Sequence, residues 1–427
     1  MDSDQMAHSD VPEVTAKGRP ARRMLIGGVV ALLVIAGVAV VGAQVTGSRS
    51  GTYANGKSFT YVAAGWLHSC GLVSDATVKC WGENTKGELG DGSVTMAVSP
   101  AAEVTDANAA IINVISISAG KQVSCAVLTG ETVKCWGKGA SWMLGNSNQT
   151  DVSRAVTVMT VMQNVSTPLT GVTAVSVGGN HVCAVLADRT VRCWGWNNAN
   201  QMGNGTTIAA KYATTIVGIT DAIAVSANNQ HSCALLSTGR VTCWGSDGGT
   251  GGLGTGTALQ TNSGPKVVVP GINDAISVSA GWAHSCAALT VGKVYCWGNG
   301  GSGQLGNGSN YSTNTPVEVV GIANATSVTA GYLHSCARLQ DGTVKCWGYN
   351  GPYGALGNDS TSQSASPVVV TGINNAISVS AYGNSTCAAL SDGTAQCWGD
   401  YNAGQLGNGI RSRAATAPLT PVLVNTP

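Results

Sequence analysis

The 427-residue chain contains a single phenylalanine, and only 10% of its residues are charged. With one Phe, the large aromatic volume of any core must come from the 11 Trp and 10 Tyr. A net charge of +1 leaves no electrostatic footprint for holding nucleic-acid phosphates. Helix-type apolar periodicity is missing outside one N-terminal run, which argues against a helical domain. There is no H-E-x-x-H zinc helix. What is abundant is glycine, at 58 residues, and with so little charge this composition predicts an all-β exported domain.

Cysteine is present in a strict pattern. Seven pairs use all 14 residues: Cys70 and Cys80, Cys125 and Cys135, Cys183 and Cys193, Cys233 and Cys243, Cys286 and Cys296, Cys336 and Cys346, Cys387 and Cys397. Nine residues always separate the partners, and Trp-Gly always follows the second. The spacing reads as a β-hairpin. In the last copy, Ser391, Asp392 and Gly393 form a three-residue loop closed by Leu390 and Thr394, a type I turn followed by a left-handed glycine. Counting outward puts Cys387 opposite Cys397, and cross-strand neighbours ~4.5 to 5.5 Å apart at Cα can carry a disulfide. The glycine recurs as Gly239, Gly292 and Gly342, but Ala76, Glu131 and Arg189 replace it in the first three copies, which leaves their turn open. Zinc knuckles with two to four residues between cysteines are absent, so disulfides are expected rather than metal.

The N-terminus supplies the export signal that disulfides need. Residues 1–23 are polar and end in Lys17, Arg19, Arg22 and Arg23, and Met24 to Val45 then carry no charge. As a helix rising ~1.5 Å per residue, this segment would reach ~33 Å, enough for the hydrocarbon core of a bilayer, with the basic side held in the cytoplasm. A signal peptide cleaved near Val41-Gly42-Ala43 is the rival reading. Either route exports the rest into a compartment where disulfides persist. Residues 46–57 read as a flexible linker, and the repeats start near Ser58.

From there to residue 427 the chain repeats every 50 to 58 residues, which calls for a repeat architecture. One unit reads as an extended Thr315 to Ile322, then Thr326 to Gly331, His334 to Leu339 and Thr343 to Gly348, four β-rich runs with turns between them. Glycine loops such as Gly87-Glu88-Leu89-Gly90, Gly303-Gln304-Leu305-Gly306 and Gly404-Gln405-Leu406-Gly407 close the units. Four strands per unit at this period predict propeller blades. The first copy lacks the leading Pro-Val run, whereas Thr420-Pro421-Val422-Leu423-Val424 at the other end has no hairpin after it. We therefore expect the C-terminal run to complete the first blade and fasten the ring.

Ser279 to Gly308, with S-A-G-W-A-H-S-C-A-A-L, V-Y-C-W-G and G-Q-L-G-N-G, resembles the repeats of the regulator of chromosome condensation family over roughly residues 58–427. The resemblance implies a seven-bladed β-propeller. It also implies candidate activities: the namesake is a nuclear guanine-nucleotide exchange factor, and similar propellers occur in bacterial secreted proteins, including one type of β-lactamase inhibitor. The export segment and the cysteine pair in every blade depart from the namesake and point away from intracellular exchange.

Five histidines, His68, His181, His231, His284 and His334, sit two residues before a first cysteine, with Val123 and Ser385 at the other two places. A histidine fixed in most blades reads as a hydrogen-bonding structural residue rather than a metal ligand. Recurrent acids such as Asp341 and Asp392 fall where Asp closes a turn on its own backbone. Sulfurs locked in disulfides cannot act as thiolates. We expect no catalytic site, metal or cofactor. The sequons at Asn307 and Asn324 read as ordinary turn residues on the bacterial source that the family resemblance implies.

Four residues before the first cysteine, the seven copies carry Trp66, Lys121, Gly179, Asn229, Trp282, Tyr332 and Gly383, with Tyr382 one place earlier in the last. In a closed ring, blades five, six, seven and one are consecutive, so Trp66, Trp282, Tyr332 and Tyr382 are expected to form an arc on one face. Such rings either bind a partner or pack beneath local loops. The resulting expectation is an exported, membrane-anchored or secreted scaffold binding a protein or cell-surface polymer.

Overall fold

The structure is a computed structural model that describes residues 34–35, 38–39 and 56–425, apart from 101–102, 108, 247, 257–263 and 412–417. Seven sheets follow one another along the chain, one for each cysteine pair, and make an all-β, seven-bladed propeller. Blade 5 shows the pattern: an inner strand Ala275–Ala280, a second His284–Leu289, a third Val294–Gly298 and an outer Thr313–Glu318, all antiparallel. In blade 1 the fourth run is held to the third strand by single bridges, Gly82↔Ala97 and Lys79↔Glu103.

The hairpin reading of the cysteine spacing is borne out in every blade. Cys70 faces Cys80, Cys125 faces Cys135, Cys183 faces Cys193 and Cys233 faces Cys243 across the second and third strands. Cys286 faces Cys296, Cys336 faces Cys346 and Cys387 faces Cys397 in the same way. A disulfide joins each pair, with Cα atoms 4.0–4.1 Å apart. The three-residue turn is present too: Gly393 N–H donates to Leu390 O at 3.0 Å, Leu390 N–H to Thr394 O at 2.9 Å, and Gly393 has φ 86°. Ala76, Glu131 and Arg189 keep that turn without glycine, at φ 63°, 56° and 63°. Asp392 Oδ1 accepts from the Thr394 N–H at 2.9 Å and hydroxyl at 2.7 Å, the local role expected of it.

The core lies between blades. Each Trp after a second cysteine is fully buried, and in six of them the indole Nε1–H reaches back to a carbonyl in the glycine loop of the preceding blade, as Trp347 does to Gln304 O at 2.9 Å. The loop needs its glycine for this: at Gly306, φ is +67° and a Cβ would lie 2.7 Å from Trp347 Cδ1 and Nε1. A backbone bond repeats at every joint, from the first residue of one inner strand to the turn of the previous hairpin; Ala325 N–H to Gly292 O at 2.9 Å is one instance.

The expected closure by strand exchange is corrected. Val422–Leu423 pairs with Gln396 and Cys397 of the last blade, not with blade 1. The run after each glycine loop folds back on the third strand of its own hairpin, the short connection, so the repeat frame is three strands followed by an outer one. Both chain ends then complete their own blades. The ring closes through the same contacts as every other joint: Phe59 N–H to Gly393 O at 2.8 Å, and Trp81 Nε1–H to Gln405 O at 2.9 Å.

The proposed membrane helix Met24 to Val45 lies outside the described residues, save for the two-residue strands Val34–Ile35 and Val38–Ala39. Among the described residues no helix is long and apolar enough to cross a membrane.

Candidate functional site

The five histidines are buried, and each ring bonds across a joint. Nε2 lies 2.8 Å from Ser124 Oγ for His68, 2.6 Å from Ser232 for His181, 2.9 Å from Ser285 for His231, 2.9 Å from Ser335 for His284 and 2.8 Å from Thr386 Oγ1 for His334. Ser232, Ser285 and Ser335 donate their hydroxyl protons to loop carbonyls at 3.0–3.1 Å, so their oxygens accept from the ring and Nε2 carries the imidazole proton. Burial drives the ring pKa values down, to about 4 for His68, His231 and His334 and about 3 for His181 and His284. These are neutral struts between blades, and their partner is the next blade's hydroxyl rather than the backbone of their own turn. No metal-binding cluster occurs among the described residues.

The pair is also replaced as a pair. Where blade 2 has Val123 instead of histidine, blade 3 has Val182 instead of serine, and both are buried in one core. At the joint from blade 7 to blade 1, Ser385 Oγ turns to Asp400 O at 3.0 Å, while Ser69 Oγ still reaches Gln405 O at 3.0 Å.

Inside the ring, the inner strands line a cavity of about 40 Å³ with small residues, chiefly serine and alanine. Its serine and threonine hydroxyls are engaged: Ser226 Oγ accepts the Ala280 N–H at 2.9 Å and Ser279 Oγ the Ala330 N–H at 3.0 Å. That volume holds roughly three waters and no organic ligand, so a partner has to meet the propeller on its surface.

The aromatic residues of the inner turns do converge. Ring centroids of Trp66 lie 5.6 Å from Trp282, 5.3 Å from Tyr332 and 6.4 Å from Tyr382, and Trp282 lies 4.7 Å from Tyr332. Blades 1 and 5 are not neighbours, so their rings can touch only near the propeller axis. The expected arc is instead a compact cap over the ring's centre. Lys121 Nζ of blade 2 sits 5.7 Å above the Trp66 ring, a cation–π distance. Trp66, Trp282 and Tyr332 are half-buried, whereas Tyr382 is buried, and desolvation raises its phenol pKa.

Gly179 of blade 3 lies across the axis from the tyrosine of blade 7: a Cβ there would be 3.6 Å from Tyr382 Oη, an ordinary contact distance. The turns beneath are tied together by backbone bonds, such as Trp282 N–H to Gly331 O at 3.2 Å and Tyr332 N–H to Gly383 O at 2.7 Å. Reading the sequence one blade at a time misses this proximity across the axis.

Comparison with known proteins places the repeats. Models of the regulator of chromosome condensation (RCC1) repeat match residues 291–338 and, in a second form, 59–88, 172–201, 222–248, 275–304 and 325–354. The ultraviolet-B receptor UVR8 of Arabidopsis thaliana is 27% identical over 268 residues, 60% of this chain and 56% of the receptor. The human E3 ubiquitin-protein ligase HERC2 is 30% identical over 138 residues, 32% of this chain and 3% of the ligase. The chain thus matches little more than half of the first and a small part of the second. In solved structures the fold recurs in yeast RCC1 (Prp20) bound to Kap60, at TM-score 0.67 and 18% identity over 86% of this chain and 85% of that one. Human WBSCR16 shares it at TM-score 0.64 and 19% identity, over 76% and 84%.

Proposed function

We propose that this chain, parts of which match models of the regulator of chromosome condensation repeat, is an exported, non-enzymatic scaffold that binds a protein partner through its aromatic cap. The observation that carries the reading is the convergence of Trp66, Trp282 and Tyr332, half-buried and packed together, with Lys121 at their edge. Rigid aromatic rings give a large contact area for little lost side-chain entropy, and Trp and Tyr dominate the hot spots of protein interfaces. A cell-surface polymer would meet the same rings by stacking. The charge-free Met24 to Val45 after its basic cluster, and seven disulfides, support a location outside the cytoplasm, with the chain either anchored or released.

The test compares capture from the native host's surface fraction by the full chain and by a triple variant combining Trp66→Ala, Trp282→Ala and Tyr332→Ala. Each ring should contribute roughly 1 to 3 kcal/mol to binding, so a partner held by the wild type should be lost by the triple variant. Tyr311→Ala, in a loop residue 83% exposed, should keep it. A partner retained by a folded triple variant places the site elsewhere.

A further inference from the structure

Blade 3 carries an addition that no other blade shows among the described residues. After the outer strand of blade 2, Met159–Met162 and Val165–Pro168 form a hairpin that joins the outer strand of blade 3, Ala210–Thr215, by a parallel bridge between Thr160 and Ala213. The contact consists of the bridge, Thr160 Oγ1–H to Ala213 O at 3.0 Å and a hydrogen bond between the Ser166 and Tyr212 side chains. Beside it opens a groove of about 500 Å³, walled by Val161, Arg192, Lys211, Tyr212 and Thr214. This is within the range of ligand sites and more than tenfold the axial cavity.

The repeat itself shows what the groove lacks. Arg192 stands where blade 2 has Lys134, and Lys134 Nζ is paired with Asp106 Oδ2 at 2.7 Å. Val104 and Val158 make the same bond to their third strands, both at 3.0 Å, so Asp106 and Thr160, each two residues later, are equivalent. Blade 3 therefore has threonine where blade 2 has the acid. Arg192 Nη1–H donates to Thr160 Oγ1 at 2.9 Å, and its Nε is buried without a partner. Asp188 is near enough to feel the guanidinium, but its Oδ1 is taken by the Thr190 N–H and hydroxyl. Neither Arg192 nor Lys211 has an ion pair within 4.0 Å among the described residues. Lys211 Nζ instead lies 5.3 Å over the Tyr212 ring.

We propose that this groove is a second binding site, independent of the aromatic cap, and that it takes an extended acidic peptide of a partner protein. A glutamate or aspartate carboxylate fills the place that Asp106 holds in blade 2, with Arg192 as its anchor and Lys211 at the rim. A guanidinium favours a planar carboxylate because its N–H groups match both oxygens. The volume exceeds what one carboxylate needs. Along the hairpin, Val161, Met162 and Val165 are 45%, 60% and 60% exposed and offer apolar contact to the residues flanking the acid.

The test is fluorescence anisotropy on the full chain with a labelled hexapeptide alternating valine and glutamate, its glutamine counterpart, and sodium glutarate as competitor. The glutamate peptide should bind at least about tenfold more tightly than the glutamine one, the size of a charged hydrogen bond. Thr160→Asp supplies the missing acid internally and should abolish the difference while leaving the melting temperature equal or higher, and Arg192→Gln should abolish it as well. Equal binding of both peptides, no binding at millimolar concentration, indifference to Thr160→Asp, or displacement by glutarate at concentrations equal to the peptide would each overturn the proposal.

Discussion

Ala76, Glu131 and Arg189 hold a left-handed backbone that four other blades give to glycine. A side chain there costs about 1 kcal/mol or more, because Cβ crowds the following carbonyl. The turn survives because its carbonyl is used at the joint: Val114 N–H donates to Ala76 O at 3.0 Å and Val172 N–H to Glu131 O at 2.9 Å. Ala76→Gly, Glu131→Gly and Arg189→Gly should each raise stability, by roughly 0.5 to 1 kcal/mol after the added freedom of the unfolded glycine is subtracted. Denaturant unfolding of the three single variants measures it. The histidines give a second expectation. Their folded pKa values of about 3 to 4 lie below the unfolded 6.5, so the unfolded chain takes up protons first as pH falls. Their contribution is whole above pH ~6.5 and drains away as pH drops toward 4, at about 1.4 kcal/mol per histidine per pH unit. A melting temperature that did not fall between pH 7 and 4.5 would contradict it. A double variant combining His68→Val and Ser124→Val, a copy of the native Val123 and Val182 pair, should make that fall shallower.

At the scale of the hairpin, the sequence was nearly transparent. Nine residues between cysteines, a turn with Asp392 and Gly393 at its centre, and Trp-Gly at its end define strands, register and disulfide together. Non-reducing peptide mapping should return seven bridges within blades and none between them. Each closes a short loop, so each contributes about 2 to 3 kcal/mol before strain. The outer strand was harder to assign. An extended run between two hairpins can join either, and only the short connection decides, so the C-terminal run pairs with blade 7 and not with blade 1 as its sequence pattern suggests. Its importance remains, for a different reason. Val424 is fully buried in the core shared by Phe59, Trp81 and Ala395, so deleting residues 418–427 should strip blade 7 of its outer strand and open the last joint. Calorimetry of the truncated chain should show a lower melting temperature, and an unchanged one would contradict this packing.

Across the whole molecule, seven blades meet at like joints, and the aromatic cap and the blade 3 groove both lie where the repeats differ. Trp66, Lys121 and Gly179 stand out as variable positions in one column of the repeat, with Tyr382 one place before it, but their meeting does not. Contact between blades 1 and 5, or 7 and 3, depends on the ring's curvature, which no single blade encodes. The Thr160 and Arg192 groove was hidden likewise, since it arises from an inserted hairpin whose pairing partner lies some fifty residues on. The central claim is that the aromatic cap is the contact surface for a partner. Placing the photocrosslinking residue p-benzoylphenylalanine at position 282, and in a separate variant at position 311, and irradiating intact cells of the native host tests it most directly. The account predicts a discrete higher-mass adduct from position 282 and none from position 311; adducts only from position 311, or none from position 282 in a folded, exported chain, would contradict it.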